Sequence, residues 1–170
     1  EIQLTKHFTI FGQIVFGDCT IEYYDRNEGT YKPLEVSRGT ILVDPNVYVM
    51  RNVGCMNNTI IHECVHWYKH RKYHELVKTY NSNAVLISCR VNETTKYKKQ
   101  WTPEDWMEWH ANGIAPRILM PKSMTIKKIE ELIKKNELLF GTYDRLNIME
   151  NVVYELADFF QVSRIAAKIR

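Results

Sequence analysis

The residues best suited to chemistry in this chain form the segment His62-Glu63-Cys64-Val65-His66. On an α-helix, residues four apart point the same way, with Cβ atoms about 5–6 Å apart. The two imidazoles can then reach one zinc ion at roughly 2.0–2.1 Å. Glu63 lies about 100° around the helix from His62, which places its carboxylate beside the metal. The spacing therefore predicts a metal site with an adjacent carboxylate.

A carboxylate beside zinc indicates hydrolytic chemistry. Zinc lowers the pKa of a water molecule bound to it to around 7, and Glu63 can accept the proton as that water attacks a substrate. The H-E-x-x-H pattern is typical of zinc proteases. The competing interpretation is a solvated, His-rich helix face, because His70 and His74 continue the spacing of four. We favour the metal site, and we expect His70 and His74 to be surface residues; the alternative is that either lies near the cleft.

A catalytic zinc site needs a third protein ligand and an open fourth position. The metzincin class of zinc proteases has Gly three residues after the second His and another His three residues later. It is excluded, because Lys69 and Lys72 occupy these positions. Glu108 is the predicted third ligand, since an acid among apolar and aromatic neighbours is costly to bury unless it meets a cation. His110 is the rival third ligand. The alternative to a ligand role for Glu108 is an ordinary solvent-facing position on an amphipathic helix. Asn112 shares the face of Glu108 and is predicted to hydrogen-bond a ligand histidine.

The elements that position these residues begin with a small antiparallel sheet. Residues 8–17 and 19–24 are rich in β-branched and aromatic types, and Gly17-Asp18 between them predicts a hairpin. Residues 25–38 are expected to be a polar loop. The next strand, at residues 39–44, precedes the histidine segment, and we hypothesise that it pairs with an extended substrate.

The rest of the chain is predicted to be mostly helical, which gives an α+β fold with a helical C-terminal half. Asn58-Thr59 offers a cap for the histidine helix, which is expected to run to about Leu76. Its predicted apolar face consists of Ile60, Ile61, Val65, Trp67 and Tyr68. A strand is expected at residues 84–91 and a loop at residues 92–100. Three later helices are predicted at residues 102–118, 123–139 and 148–160.

The composition, 45% hydrophobic and 25% charged, is that of a globular protein with one sizeable core. A net charge of +3 is too small to indicate nucleic-acid binding, and no apolar run approaches the roughly 20 residues that span a bilayer. No C-x-x-C pair occurs, which excludes a zinc ribbon and suggests reduced thiols in a cytoplasmic protein. The cysteines are Cys19, Cys55, Cys64 and Cys89. We interpret Cys64 as a buried core thiol.

Two segments in this order, NTIIHECVH at residues 58–66 and EWHANGIAPRILMP at residues 108–121, carry further information. Together they resemble the ImmA/IrrE family of bacterial metallo-endopeptidases, whose second motif is E-x-x-A-N-x-F-A-x-x-L-L-M-P. The matching positions are Glu108, Ala111, Asn112, Ala115, Leu119, Met120 and Pro121. Ile114 and Ile118 replace Phe and Leu. Residues 156–163 also look like the closing helical segment of the family.

The resemblance implies a zincin-like fold in which His62, His66 and Glu108 bind one zinc ion and Glu63 is the general base. It implies a cytoplasmic endopeptidase, and some family members cleave a helix-turn-helix repressor to switch on stress, prophage or mobile-element genes. We therefore expect a peptidase domain at residues 1–145 whose protein substrate is such a transcriptional repressor. A helical segment at residues 146–170 is expected to pack on this domain and to continue beyond residue 170.

The alternative is a DNA-binding or regulatory protein with a structural zinc site, because residues 156–170 also suggest a helix-turn-helix with Gln161-Val162 at its turn. We favour helices that cap the peptidase, since the available cations make a thin phosphate-binding surface; they are Arg164, Lys168 and Arg170. The tryptophans are interpreted as helix packing rather than base stacking; they are Trp101, Trp106 and Trp109. Four residues remain open as oxyanion partners: Tyr68, Tyr73, His74 and His110.

Overall fold

A computed structural model of the chain describes residues 2–80, 86–90, 100–140 and 145–170. In these ranges the strands are β1 (Ile2–Gln3), β2 (Ile10–Val15), β3 (Cys19–Asp25), β4 (Thr30–Val36), β5 (Ile41–Val43) and β6 (Leu86–Arg90). The helices are α1 (Asn46–Met50), α2 (Val53–Tyr80), α3 (Pro103–Leu119), α4 (Lys122–Phe140), α5 (Arg145–Phe159) and α6 (Arg164–Ile169). The predicted α+β class, with antiparallel strands and a helical C-terminal half, is confirmed.

The described strands form two three-stranded antiparallel sheets, with orders β5-β2-β6 and β1-β3-β4. The predicted hairpin across Gly17-Asp18 is wrong, because β2 and β3 belong to different sheets. β2 pairs instead with β5 and β6, which are distant in the chain. The strand predicted at residues 39–44 is β5, and it lies at an edge of its sheet. The strand predicted at residues 84–91 is β6, whereas the loop predicted at 92–100 lies, apart from residue 100, outside the described residues.

The loop predicted at residues 25–38 is also wrong, because β4 occupies most of it and pairs with β3. Gly29 closes the turn between the two strands with a φ of +68°, and its N–H donates to the carbonyl of Asp25 at 2.8 Å. Pro33 does not interrupt β4, because a proline is tolerated on a strand at the edge of a sheet.

Helix α2 is longer than predicted at both ends. It starts before Asn58, because the side chain of Asn52 accepts a hydrogen bond of 2.8 Å from the N–H of Cys55. It ends at Tyr80 rather than near Leu76. Along its length α2 packs against β2, β5 and α3, so one element spans the part of the molecule that holds the histidines.

The buried face of α2 is polar, which contradicts the predicted apolar face. Of the five apolar residues expected there, Val65 alone is buried, and Tyr68 is 76% exposed. The prediction that His70 and His74 are surface residues is wrong, because they are only 7% and 6% exposed. The buried residues of α2 are Gly54, Thr59, His62, Glu63, Val65, His66, His70 and His74. Positions four apart share a face, and this face is the one that packs inward.

Helix α3 begins as predicted, with Thr102 as the cap. The Thr102 hydroxyl accepts from the N–H of Asp105 at 3.2 Å, and Asp105 accepts from the N–H of Thr102 at 2.9 Å. Pro103 occupies the first helical position, where its missing N–H costs nothing. The cap fixes where α3 starts and therefore which of its side chains, Glu108 among them, point towards α2.

The C-terminal helices share one core cluster, which consists of Met120, Leu132, Ile148, Val152, Leu156, Ala157, Val162, Ala166 and Ala167. This cluster contains residues from both sides of the predicted boundary at residue 145. A Cβ on Gly54 would lie 2.3 Å from the carbonyl carbon of Val162, so the turn before α6 sits directly on the start of α2. In the described ranges, no helix combines the length and the apolar character needed to cross a membrane.

Candidate metal centre

Helices α2 and α3 bring three donor groups to one point. The Nε2 atoms of His62 and His66 are 3.0 Å apart. One carboxylate oxygen of Glu108 lies 3.2 Å from Nε2 of His62, and the other lies 3.3 Å from Nε2 of His66. The two histidines are one helical turn apart on α2, and Glu108 reaches them from α3. The three residues could together hold a metal ion.

The spacing of these donors suits a metal ion. Ligands at roughly 2.0–2.1 Å in a tetrahedral zinc site are about 3.3–3.4 Å from one another. The three separations here, 3.0, 3.2 and 3.3 Å, are close to that value. Two imidazole nitrogens and one carboxylate also form a donor set found in catalytic zinc sites. Of the two predicted rivals for the third ligand, Glu108 therefore belongs to the group and His110 does not.

The protonation states of the donors also suit metal binding. Burial raises the pKa of Glu108, but hydrogen bonds from His62 and His66 outweigh it and lower the pKa to about 2. Burial lowers the pKa of His66, and the Glu108 carboxylate opposes this only in part. Near neutral pH the carboxylate is thus ionised and the His66 imidazole is neutral, as a metal ligand must be.

The donors of the candidate centre differ in their exposure to solvent. His62 and His66 are fully buried, whereas the side chain of Glu108 is 37% exposed. The candidate centre is therefore least covered on the side of α3.

Glu63 is fully buried between α2 and the central strand β2. It faces Gly12, where an added Cβ would lie 3.2 Å from Oε1 of Glu63 and 2.6 Å from Cγ2 of Thr59. The missing side chain of Gly12 therefore gives the carboxylate its space. The role of Glu63 as a proton acceptor remains a prediction.

His70, for which a surface position was favoured over one near the cleft, is buried beside the candidate centre. Its Nδ1 lies 3.1 Å from Nδ1 of His66, and its ring stacks on that of His110 at 5.9 Å and 19°. Burial first, and then the neighbouring histidines, lower the pKa of His70 to about 4. The available signal was the spacing, since His70 follows His62 and His66 on one face.

Asn112 does not take the position predicted for it. It is exposed on α3, and in the described part of the chain it makes no hydrogen bond to His62 or His66. The contact expected from Asn112 is made to His66 by His70 instead.

The predicted oxyanion partners occupy different surroundings. Tyr68 is exposed, and the hydroxyl of Tyr73 donates to Glu104 at 3.3 Å. His74 is buried and stacks on Phe16 with ring centroids 4.1 Å apart. His110 is exposed and contacts His70. The choice among the four therefore stays open.

The three tryptophans pack against one another rather than into a core. Ring centroids are 4.5 Å apart for Trp101 and Trp106, and 5.8 Å apart for Trp106 and Trp109. Each ring remains about half exposed. Trp109 also contacts the ring of His110, at 5.5 Å, so the described ring contacts of the three tryptophans lie along one exposed surface of α3 and its start. Cys64, predicted to be a buried core thiol, is only partly buried, and burial together with Glu63 raises its pKa.

The segment that suggested a helix-turn-helix is engaged in packing. Val162, at its turn, and Ala166 and Ala167 of α6 are buried. The guanidinium of Arg164 lies over the ring of Tyr154 at 4.5 Å. This arrangement favours the interpretation that the closing helices cap the fold.

Comparison of the chain with protein-family models, with curated proteins and with solved structures found no match. Its function is therefore inferred from the chemistry of its own residues.

Proposed function

We propose that the protein is a zinc-dependent endopeptidase in which His62, His66 and Glu108 hold the metal. The observation that supports this most is the convergence of two Nε2 atoms and one carboxylate within 3.0–3.3 Å of one another. Zinc is the favoured ion, because magnesium and calcium prefer sites made of oxygen ligands.

When bound, zinc supplies Lewis acidity, which polarises a carbonyl oxygen and makes water a stronger acid. Glu63 is the group assigned to move the proton: it takes one from the attacking water and returns it to the leaving amine. Glu63 is fully buried and faces Gly12 of β2, so bulk water does not weaken its electrostatic effect. β5 lies at the edge of the sheet that α2 packs on, where an extended peptide could add as a further strand.

The substrate class we propose is a cytoplasmic regulatory protein, such as a helix-turn-helix transcriptional repressor. The support is the resemblance of residues 58–66 and 108–121 to the ImmA/IrrE family. The convergence of Glu108, from the second segment, with His62 and His66, from the first, is compatible with this proposal.

The metal centre is tested by zinc analysis of purified proteins. About one zinc per chain is expected in the wild type and clear loss in Glu108→Ala, since removal of one of three ligands weakens the site. Glu104→Ala is the matched control, because Glu104 lies one turn earlier on α3 and contacts Tyr73 rather than the histidines. Folded wild-type protein without zinc, or equal zinc in all three proteins, would contradict the proposal.

The proton-transfer role is tested with Glu63→Gln. The variant should keep its zinc but cleave a library of unstructured peptides about 10²- to 10⁴-fold more slowly, because an amide cannot accept the proton. Cleavage products are identified by mass spectrometry, with the Glu104→Ala protein as the active control. Full activity in Glu63→Gln would refute the assigned mechanism while leaving the metal centre intact.

A further inference from the structure

We propose that His70 is a positioning residue that fixes the ring orientation and the tautomer of His66. The inference rests on the zinc centre proposed above. It starts from one contact, the 3.1 Å separation between Nδ1 of His66 and Nδ1 of His70. Both rings are buried, so neither nitrogen can exchange this contact for bulk water.

The direction of the hydrogen bond follows from the position of the other ring nitrogen. Nε2 of His66 points at His62 and Glu108, so its lone pair is the one available to a metal. When a metal takes the Nε2 lone pair in place of the hydrogen bond to Glu108, the proton of the neutral His66 ring must be on Nδ1, which can only donate. Nδ1 of His70 then accepts, which puts the proton of His70 on its Nε2, a buried atom with no hydrogen-bond partner among the described residues.

His70 is itself well fixed, as an orienting partner must be. It is 7% exposed, it lies on the same face of α2 one turn after His66, and its ring stacks on His110. Metal-binding histidines commonly donate their second N–H to a carboxylate or a carbonyl group. A neutral imidazole takes that place here. The Nδ1 atom of His62 has no hydrogen-bond partner among the described residues. Of the two histidines, His66 is therefore the one that a neighbouring imidazole orients.

The experiment measures zinc affinity by chelator competition in four proteins: wild type, His70→Phe, His70→Asn and His74→Phe. His70→Phe keeps a ring but has no acceptor, and it should weaken zinc binding about 10- to 100-fold. His70→Asn should retain most of the affinity, because its Oδ1 is attached to Cγ as Nδ1 is in histidine. His74→Phe is the matched control on the same face, with a similar exposure of 6%, and should bind like the wild type.

Each result decides one point. Loss in His70→Phe with recovery in His70→Asn supports the acceptor role, whereas equal loss in both variants indicates mere packing and overturns it. Unchanged affinity in His70→Phe also overturns it. Should His70→Phe not fold by circular dichroism, His70→Leu provides the same loss of the acceptor. Wild-type protein that binds no zinc would overturn the metal centre itself, and the inference with it.

Discussion

Gly12 illustrates how a residue without a side chain can shape a site. It lies on β2 opposite Glu63, and a Cβ there would be 2.6 Å from Cγ2 of Thr59 and 3.2 Å from Oε1 of Glu63. The first distance is far inside van der Waals contact. Because Glu63 and Thr59 are both buried, neither side chain has free space to move into. Gly12 therefore determines how closely α2 approaches the sheet.

Gly12→Ala should slow peptide cleavage and lower the free energy of unfolding by about 1–3 kcal/mol, the usual cost of overpacking. Zinc affinity should change little, because the alanine methyl would meet Thr59 and Glu63 rather than the ligands. Urea unfolding, zinc titration and the peptide assay measure the three effects. Adding Thr59→Ser removes the closest atom and should restore part of the stability. A Gly12→Ala protein as stable and active as the wild type would contradict this account.

The residues of the candidate site were predictable to different degrees. His62 and His66 could be placed together from sequence, because a spacing of four on a helix is local geometry. Glu108 could be predicted only from the free-energy cost of burying a carboxylate among apolar residues. Its carboxylate lies against both histidines. The surface position expected for His70 is wrong, because a spacing of four fits a solvated, His-rich helix face as well as it fits a buried one. The hydrogen bond predicted from Asn112 to a histidine is not among the described contacts, because a shared helix face does not determine which groups a side chain reaches.

At the scale of elements, α2 joins the site to the C-terminal helices. Its start holds Gly54, which lies against the backbone of Val162 before α6. Its middle carries His62 and His66. Because one continuous helix makes both contacts, the docking of the closing helices and the position of the ligands depend on the same rigid element.

Gly54→Ala should destabilise the protein strongly, by about 3 kcal/mol or more, at the upper end of overpacking costs. The new Cβ would lie 2.3 Å and 2.4 Å from the carbonyl carbon and oxygen of Val162, and backbone atoms cannot rotate away. Gly113→Ala is the control, because its Cβ would meet only the flexible end of Arg117, at 3.3 Å. That variant should be neutral or up to about 1 kcal/mol more stable, because alanine favours helix. Equal urea midpoints for the two variants would contradict the packing argument.

The elements that sequence could not predict are those that depend on distant partners. The turn signal at Gly17-Asp18 is local and predicted that β2 pairs with β3. β2 pairs instead with β5 and β6, which lie far along the chain. Pro33 indicated a loop, and only its place on an edge strand makes it compatible with β4. The cap at Thr102 was predicted correctly, because a capping box is formed within four residues.

At the scale of the whole molecule, the candidate centre joins residues that are far apart in the chain. His62 and His66 come from the helix that packs on the sheet, whereas Glu108 comes from α3, which follows β6 in the chain. Two polar side chains of α2, His62 and His66, are fully buried at this junction. Burial of such groups is unfavourable unless they are satisfied. A metal held between α2 and α3 would satisfy the ligands and connect the two helices.

Removal of the metal should therefore destabilise the entire fold. A ligand that binds only the folded state adds about 2.7 kcal/mol when its free concentration is 100 times its Kd. We expect a chelator to lower the Tm of the wild type and of Glu104→Ala, and added zinc to restore it. Glu108→Ala should unfold at nearly the same temperature with and without the chelator, since it lacks the α3 ligand. Calorimetry at matched protein concentration makes the comparison. An equal Tm for zinc-loaded and chelator-treated wild type would mean that the metal is not part of the fold, and the three donors would then need another explanation.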